Sequence, residues 1–219
     1  MSPADPARAR RVAGALLAVA ALAACVPRVK PLVGAERPRE PLPRLELPPH
    51  AQRIVFRWRV QESELEIRGD GAARVAPPDS ARLDLFVGGG LGGGAAWVVG
   101  DSLCLGPAPE ALRRALPPPT FLWAALGRFV IPPGRDTLVA RGDSGITVEI
   151  GPSPRWRAEL RGGRIVRLER VDGEKLVDRL ERRPDGALAY LHAPSRRQLV
   201  LEVQRVDSVA PFDAAIWDR

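Results

Sequence analysis

The regular alternation of apolar and polar residues is the feature that most constrains the fold of this chain. It is strictest at residues 155–161, where Trp156, Ala158 and Leu160 alternate with arginine and glutamate. Alternation with a period of two is typical of a strand that buries one side and exposes the other. About eleven such runs occur, at residues 53–60, 65–75, 81–87, 95–99, 137–141, 146–150, 155–161, 164–171, 175–182, 187–191 and 198–206. The sequence therefore predicts a mainly β protein.

Short turn sequences lie between many of these runs. They combine glycine with aspartate or with a second glycine, a composition that tight hairpin turns prefer. They occur at residues 69–71, 142–143, 162–163, 172–173 and 184–186. Hairpin connections make neighbouring strands antiparallel, and a long antiparallel meander has to close or curl to protect its edges. We therefore expect one curled antiparallel sheet.

One region in the middle of the sequence has helical features instead. Residues 107–116 carry Glu110 in the first turn and two arginines in the last turn, which suits the helix dipole. Thr120 is a candidate N-cap for a second helix, residues 121–126, which is almost wholly apolar and ends at Gly127. We expect these two short helices to form a lid over the open mouth of the curled sheet.

The N-terminus has the layout of a secretory signal peptide. Arginines precede a run of apolar or small residues at 12–24, which is shorter than the roughly 20 residues that cross a bilayer. The run ends in Leu22-Ala23-Ala24-Cys25, which resembles the lipobox of bacterial lipoproteins, whose cysteine is diacylated. The resemblance implies that residues 1–24 are removed and that Cys25 carries a lipid anchor. The alternative is an ordinary secreted protein in which Cys25 is incidental.

The following segment, residues 25–50, is rich in proline. It contains seven prolines among charged and small residues, a composition that favours extended conformations and builds no core. We expect a tether that holds a single folded domain, residues 51–219, at some distance from the membrane.

The composition argues against a metal site, an enzyme and a nucleic-acid binder. The two histidines, His50 and His192, form no metal-ligand spacing with cysteine. No serine stands in a catalytic motif, and Cys104 lies in an apolar stretch where a small buried side chain is expected. The net charge of +7 comes from arginines mixed with acidic residues along the chain. We therefore expect no metal, no cofactor, no catalytic residue and no nucleic-acid partner.

The order of these parts resembles the LolA/LolB-like superfamily of periplasmic lipoprotein carriers and outer-membrane lipoprotein receptors. The resemblance rests on the lipobox, the tryptophan strand Phe56-Arg57-Trp58-Arg59-Val60, the strand pair 71–87, the helical residues 121–128 and the closing run 194–206. It implies an unclosed antiparallel β-barrel of about eleven strands, with a short helical lid over a hydrophobic cavity that holds acyl chains. By the same resemblance the lipid contacts are Trp58, Phe121, Leu122, Trp123 and Leu126.

The resemblance also implies a function. The protein would be anchored to the outer membrane by the lipid on Cys25, would face the periplasm, and would bind acyl chains in order to carry or accept lipids or lipoproteins. Its partners would be the membrane, acyl chains and a soluble periplasmic carrier protein. Val26 follows the cysteine where inner-membrane lipoproteins of well-studied diderm bacteria have aspartate, which favours the outer membrane.

Two questions stay open at this stage. The receptor of the family has a protruding loop with an exposed leucine, and Leu91 stands among glycines 88–94 in a similar way. Leu91 is therefore a candidate membrane contact, with a plain flexible loop as the alternative. For the whole protein, the alternative function is a structural envelope lipoprotein that scaffolds partner proteins. A hydrolase is a third and weaker hypothesis, because no base and nucleophile pair is visible.

Overall fold

The computed structural model describes residues 26–90 and 92–217. The predicted signal peptide, Cys25 and Leu91 lie outside these ranges. Within the described ranges there are twelve strands and two α-helices. The strands are β1 (Gln52–Glu62), β2 (Leu65–Ala76), β3 (Ser80–Val87), β4 (Gly93–Val99), β5 (Ser102–Leu105), β6 (Leu138–Gly142), β7 (Gly145–Ile150), β8 (Arg155–Arg161), β9 (Arg164–Asp172), β10 (Lys175–Arg182), β11 (Leu188–His192) and β12 (Arg197–Ser208). The helices are α1 (Glu110–Ala115) and α2 (Pro119–Ala125).

The strands form one antiparallel sheet in the order β5-β4-β3-β2-β1-β12-β11-β10-β9-β8-β7-β6. The first and last strands pair in the middle of the sheet, and β5 and β6 are its two edges. Both helices lie in the segment between β5 and β6, the two edge strands, and they pack inside the curled sheet, α1 against β12 and α2 against β9 and β10. The predicted mainly β fold, an unclosed antiparallel barrel with short helices, is therefore confirmed. The strand that the pattern missed is β5, because its four residues are too few to show an alternation.

One face of the sheet is apolar because large apolar side chains recur at every second position. In β1 the buried residues are Phe56, Trp58 and Val60, while Arg57 and Arg59 between them are exposed. Similar rows from both halves of the sheet and from both helices form one buried cluster. The core therefore fills the inside of the curled sheet.

The glycines at 69 and 71 lie inside β2, so the predicted turn at residues 69–71 is wrong. A Cβ atom on Gly69 would lie 1.8 Å from the Phe86 carbonyl oxygen and 2.8 Å from the Trp58 ring. A Cβ atom on Gly71 would lie 2.4 Å from the Phe56 ring. These glycines therefore allow the aromatic rings of β1 to lie across the neighbouring strand, a close approach that a side chain would block. The remaining predicted turns, at residues 142–143, 162–163, 172–173 and 184–186, connect consecutive strands as expected.

Both predicted helices are present, with different starting residues. α2 has Pro119 at its start and no side-chain cap, so the predicted Thr120 cap is wrong. Proline suits the first helical position because its missing N–H has no partner there in any case. The predicted end at Gly127 is confirmed, since this residue has a φ of +94°. The N–H of Arg128 then donates to the Trp123 carbonyl oxygen at 2.8 Å, as in a Schellman motif.

Residues 26–47 pack against the sheet, and we call them the strap. Val29 is 6% exposed and lies in a small cluster with Val171 and Leu176, while Leu47 belongs to the main core. The expectation that this proline-rich segment builds no core is therefore wrong. Prolines interrupt a hydrogen-bonded strand, but they leave the side chains between them free to pack. The domain boundaries at residues 24 and 50 stay predictions.

The strap runs along the half of the sheet that ends in β6. Near its start, the Val29 N–H donates to the Glu174 carbonyl oxygen at 2.8 Å, and Arg155 Nη2 donates to the Val29 carbonyl oxygen at 2.6 Å. Further along, Glu36 and Val139 of β6 exchange two backbone hydrogen bonds, of 3.0 and 2.7 Å. The strap thereby covers part of an edge strand whose backbone groups would otherwise be open to pairing with another chain.

Because neighbouring strands are antiparallel, the strand ends gather at two rims. The upper rim holds the connections that follow β1, β3, β7, β9 and β11, and the lower rim holds those that follow β2, β4, β6, β8 and β10. The strap begins beside Glu174 at the upper rim and leads into β1 at the lower rim. It therefore spans the height of the barrel.

Candidate functional site

An apolar pocket of about 210 Å³ lies under α1, near the upper rim. Its lining consists of Trp58, Val60, Ile67, Val87, Pro109, Ala111 and Leu112. All of these side chains are apolar except for the indole N–H of Trp58, which already donates to the Asp70 carbonyl oxygen at 2.9 Å. A lining of this kind offers burial without hydrogen bonds, so it suits an apolar ligand.

A second cavity, of about 10 Å³, lies deeper in the barrel. It barely has the space of one water molecule. Its lining consists of Phe56, Trp58, Leu83, Leu85, Leu112, Ala115, Leu116, Leu122, Leu199 and Leu201. Trp58 and Leu112 line both spaces, so they form the partition between the pocket and the inner cavity. A displacement of Leu112 would join the two.

Few interactions hold α1 over this pocket. The helix has six residues, and its N-cap, Pro109, makes no side-chain hydrogen bond. Isolated helices of this length are unstable in water. Its buried residues are Leu112 and Ala115, whereas its outer side is charged. α1 therefore depends on two buried side chains for its position.

α2 is held by a larger set of contacts. Phe121, Leu122, Trp123 and Ala124 are all buried. Trp123 Nε1 donates to the Gly100 carbonyl oxygen at 2.7 Å, which satisfies the one polar group of the indole. α2 therefore forms a plug in the barrel.

The plug also contacts the far half of the sheet. The ring centroid of Phe121 lies 5.6 Å from that of Trp156 on β8 and 5.4 Å from that of Tyr190 on β11. Tilted and edge-on aromatic pairs at such distances stabilise beyond simple burial. Because Trp123 is hydrogen-bonded to the turn after β4, α2 connects the two halves of the barrel.

The structure brings only some of the predicted lipid contacts to the cavities. Trp58 lines both spaces and Leu122 lines the inner one. Phe121 and Trp123 are fully buried in the core, and Leu126 is the half-buried C-cap of α2. Whether these five residues contact lipid stays a prediction.

Sequence reasoning missed Ala111 and Leu112, the pocket residues of α1. The available indication was the spacing of Leu112 and Leu116, which puts two leucines on one side of the first helix. It also missed Asp178, whose indication is its place between Leu176 and Leu180 at an apolar position of the β10 alternation.

Asp178 is the centre of a buried polar network beside α2. Its carboxylate accepts hydrogen bonds from Arg170 Nε at 2.7 Å and from the Tyr190 hydroxyl at 2.6 Å, and His192 Nδ1 lies 2.8 Å from it. Burial, followed by the hydrogen bond and charge of Asp178, raises the pKa of Tyr190. The Tyr190 ring contacts Phe121, so this network supports the seat of the plug.

The pocket offers mainly apolar surface to a ligand. The lining of the pocket contains no titratable group. Within residues 26–90 and 92–217 no group of three His, Cys, Asp or Glu is arranged to hold a metal ion. Over that same part of the chain no helix is long and apolar enough to cross a bilayer.

Comparison with solved structures identifies the fold. An outer-membrane lipoprotein-sorting protein domain from Vibrio parahaemolyticus is 10% identical, with a TM-score of 0.50 over 77% of this chain and 89% of that one. A LolA superfamily protein from Nitrosomonas europaea is 9% identical, with a TM-score of 0.52 over 80% of this chain and 92% of that one. No protein-family model and no curated protein matches the sequence. The chain therefore has the LolA/LolB-like fold that its sequence resembles.

Proposed function

We propose that this protein binds acyl chains in the pocket under α1 and thereby carries or accepts lipids or lipoproteins at the outer membrane. The observation that carries the proposal is an apolar pocket near the upper rim, between β1, β2 and β3 and a helix that two buried residues hold. The fold supports it, because one solved structure with this fold is described as an outer-membrane lipoprotein-sorting protein domain. The proposed activity is binding and release, not catalysis.

The size of the pocket indicates that α1 has to move. The pocket of about 210 Å³ is smaller than the roughly 300–1,000 Å³ of sites that enclose small ligands. Displacing α1 would join the pocket to the inner cavity and expose Leu112 and Ala115, of which the leucine alone costs about 1.5–3 kcal/mol. Burial of each CH₂ group of a ligand contributes about 0.8 kcal/mol, so about two to four groups offset that cost. An acyl chain has more than enough of them.

We further propose that Cys25 carries the lipid anchor, that the protein faces the periplasm from the outer membrane, and that Leu91 contacts the bilayer. The support is in the sequence: the lipobox, Val26 after the cysteine, and the glycine-rich loop. In this scheme a soluble periplasmic carrier exchanges acylated cargo with the protein.

A titration with a fluorescent fatty acid tests the acyl-chain proposal. The mature chain with Cys25→Ser, which lacks the lipid, should bind the probe saturably. Ala111→Trp places an indole in the pocket and should weaken binding about tenfold or more, which is about 1.4 kcal/mol. Arg113→Trp adds the same ring to the exposed side of the same helix and should leave binding unchanged. Absence of saturable binding, or an equal loss in both variants, contradicts the proposal.

The filled interior favours a second candidate function, that of a structural envelope lipoprotein. The inner cavity is only about 10 Å³, and Phe121 and Trp123 occupy the core as they would in a barrel that holds no ligand. A scaffold of this kind would bind no fatty acid and would crosslink to envelope proteins in cells. The same titration therefore separates the two functions.

A further inference from the structure

We propose that the strap fixes the orientation of the barrel, so that the lipid anchor and the mouth of the apolar pocket face the same bilayer. This proposal rests on the proposed function and adds the geometry with which the pocket meets its source of acyl chains. Its basis is the place of Val26, the residue that follows Cys25. Val26 lies at the upper rim, and the pocket lies near that same rim.

The start of the strap is tied to the β9–β10 hairpin. The Leu176 N–H donates to the Pro27 carbonyl oxygen at 2.9 Å, and the Val29 N–H donates to the Glu174 carbonyl oxygen at 2.8 Å. Val29 is buried against Val171 and Leu176, and Val26 packs against the same cluster. The chain is therefore held at the upper rim from its first described residues onward.

The pocket is bounded by strand ends at the upper rim. Val60, Ile67 and Val87 each lie within two residues of the upper end of their strands. The strand β1, which contributes Val60, is separated from β10 by β11 and β12. Three strand spacings of about 4.8 Å therefore separate the start of the strap on β10 from the pocket residue Val60 on β1, which is about 15 Å around the rim.

A packed strap and a free tether have different consequences for the anchored protein. A free, extended segment of residues 26–50 would reach roughly 75 Å at about 3.1 Å per residue, so the barrel would take any orientation. With the strap packed, one residue of about 3.8 Å separates Val26 from the acylated position. The upper rim is then the part of the barrel that stays at the membrane surface.

The upper rim also exposes apolar surface. Leu65 and Phe86 are 50% and 57% exposed, at the start of β2 and near the end of β3. Single exposed apolar residues are common on proteins, so the strap and not these residues carries the proposal. Glu64 and Glu66 flank Leu65, and anionic headgroups would repel these two carboxylates, so the test uses a zwitterionic bilayer.

The experiment measures which rim lies nearer the bilayer. The acylated chain is purified from membranes and reconstituted in phosphatidylcholine vesicles that contain a lipid with a spin-labelled headgroup. One fluorophore is attached to a cysteine that replaces Glu64 at the upper rim or Asp185 at the lower rim, each with Cys104→Ala. We expect the headgroup label to quench the fluorophore at position 64 several-fold more strongly than the one at position 185.

Two substitutions in the strap provide the perturbation and its control. Val29→Asp places a charge in a buried position and should bring the quenching at the two rims close to equality. Val33→Asp introduces the same charge where the side chain is 93% exposed, and should preserve the difference. Val29→Ala, a milder change, should reduce the difference in quenching partly. Melting temperatures test whether the barrel of each variant is folded. If Val29→Asp does not fold, the result for Val29→Ala decides.

Several outcomes overturn the proposal. These are equal quenching at the two rims of the unchanged protein, stronger quenching at the lower rim, and a difference that survives both Val29 substitutions. A chain without an acyl group on Cys25 overturns it as well. The fatty-acid titration is independent of this result, because an oriented barrel that binds no probe refutes the proposed function and leaves the orientation standing.

Discussion

The two helices between β5 and β6 differ in how the barrel holds them. They have six and seven residues, neither has a side-chain N-cap hydrogen bond, and each follows a proline. α1 buries Leu112 and Ala115, whereas α2 buries four consecutive residues, including Phe121 and Trp123. Within residues 26–90 and 92–217, only α2 of the two helices makes a side-chain hydrogen bond to another element. This bond runs from Trp123 Nε1 to the Gly100 carbonyl oxygen in the turn after β4.

This difference shows that packing, and not helix propensity, decides which element moves. Helices this short gain almost nothing from their own hydrogen bonds, so the buried side chains determine the cost of displacement. That cost is small for α1, which covers the pocket, and large for α2, which joins the halves of the barrel. We therefore expect α1 to act as a lid and α2 as a fixed plug.

Trp123→Ala should have the largest effect on stability. The side chain is fully buried, and truncating a buried tryptophan costs about 3–5 kcal/mol. The loss is measured by urea unfolding followed by circular dichroism. Arg128→Ala is the matched control, because it removes the side chain whose guanidinium lies 5.1 Å from the Trp123 ring and should cost about 1 kcal/mol or less. Similar losses in both variants would contradict the assignment of α2 as a plug.

Leu112→Ala should lower the stability less than Trp123→Ala does, and it should strengthen the binding of the fatty-acid probe. A buried Leu→Ala change costs about 2–5 kcal/mol, and we expect about 2 because the short helix can settle into the space. Removing the partition joins the pocket to the inner cavity, so the fatty-acid probe should bind more tightly. Unfolding in urea and the probe titration measure the two effects. A weaker affinity would show that Leu112 is a ligand contact and not a gate.

The seat of α2 should become less stable at high pH. Burial and Asp178 raise the pKa of Tyr190 in the folded protein. The stability that the buried Tyr190 hydroxyl contributes is therefore fully present below the unfolded pKa of about 10. As the pH rises above that value, the unfolded tyrosine ionises first, and the free energy of unfolding falls by up to about 1.4 kcal/mol per pH unit.

Tyr190 is the one tyrosine of the chain, so tyrosinate absorbance reports on it directly. In the native protein this absorbance should appear only together with unfolding. Tyr190→Phe should lose the additional pH dependence above pH 10 and retain the contact with Phe121. A native protein that shows tyrosinate absorbance near the ordinary pKa would refute this account of the buried network.

The sequence predicted the sheet better than the lid, for physical reasons. The alternation in β1 and β8 is a local property of each strand, and the composition of turns such as residues 162–163 is local as well. The strands and these turns could therefore be predicted from the sequence. The turn prediction at residues 69–71 failed because those glycines serve a contact with Phe56 and Trp58. That contact joins two strands, and no pattern within one strand reports it.

The same limit applies to the strap and to the site. Proline content predicted an extended segment without a core, but Val29 is buried against Val171 and Leu176, which are more than 100 positions away in sequence. The apolar residues of α2 were visible as a cluster, but a plug in the core and the lining of a cavity produce the same sequence pattern. That distinction depends on the partner of Trp123, whose indole N–H donates to the Gly100 carbonyl oxygen in the turn after β4.

Glu110→Gln should have the smallest effect of the series, and it tests what holds α1. Glu110 is the first residue of the helix, and its carboxylate lies 3.7 Å from Arg114 Nε with 69% of the side chain exposed. An exposed pair at this spacing contributes about 0.5 kcal/mol or less, and salt screens it further. Urea unfolding and probe affinity should therefore change little at low salt and not at all at high salt. A loss as large as that of Leu112→Ala would mean that surface charges hold α1, and the explanation of the lid by two buried side chains would fail.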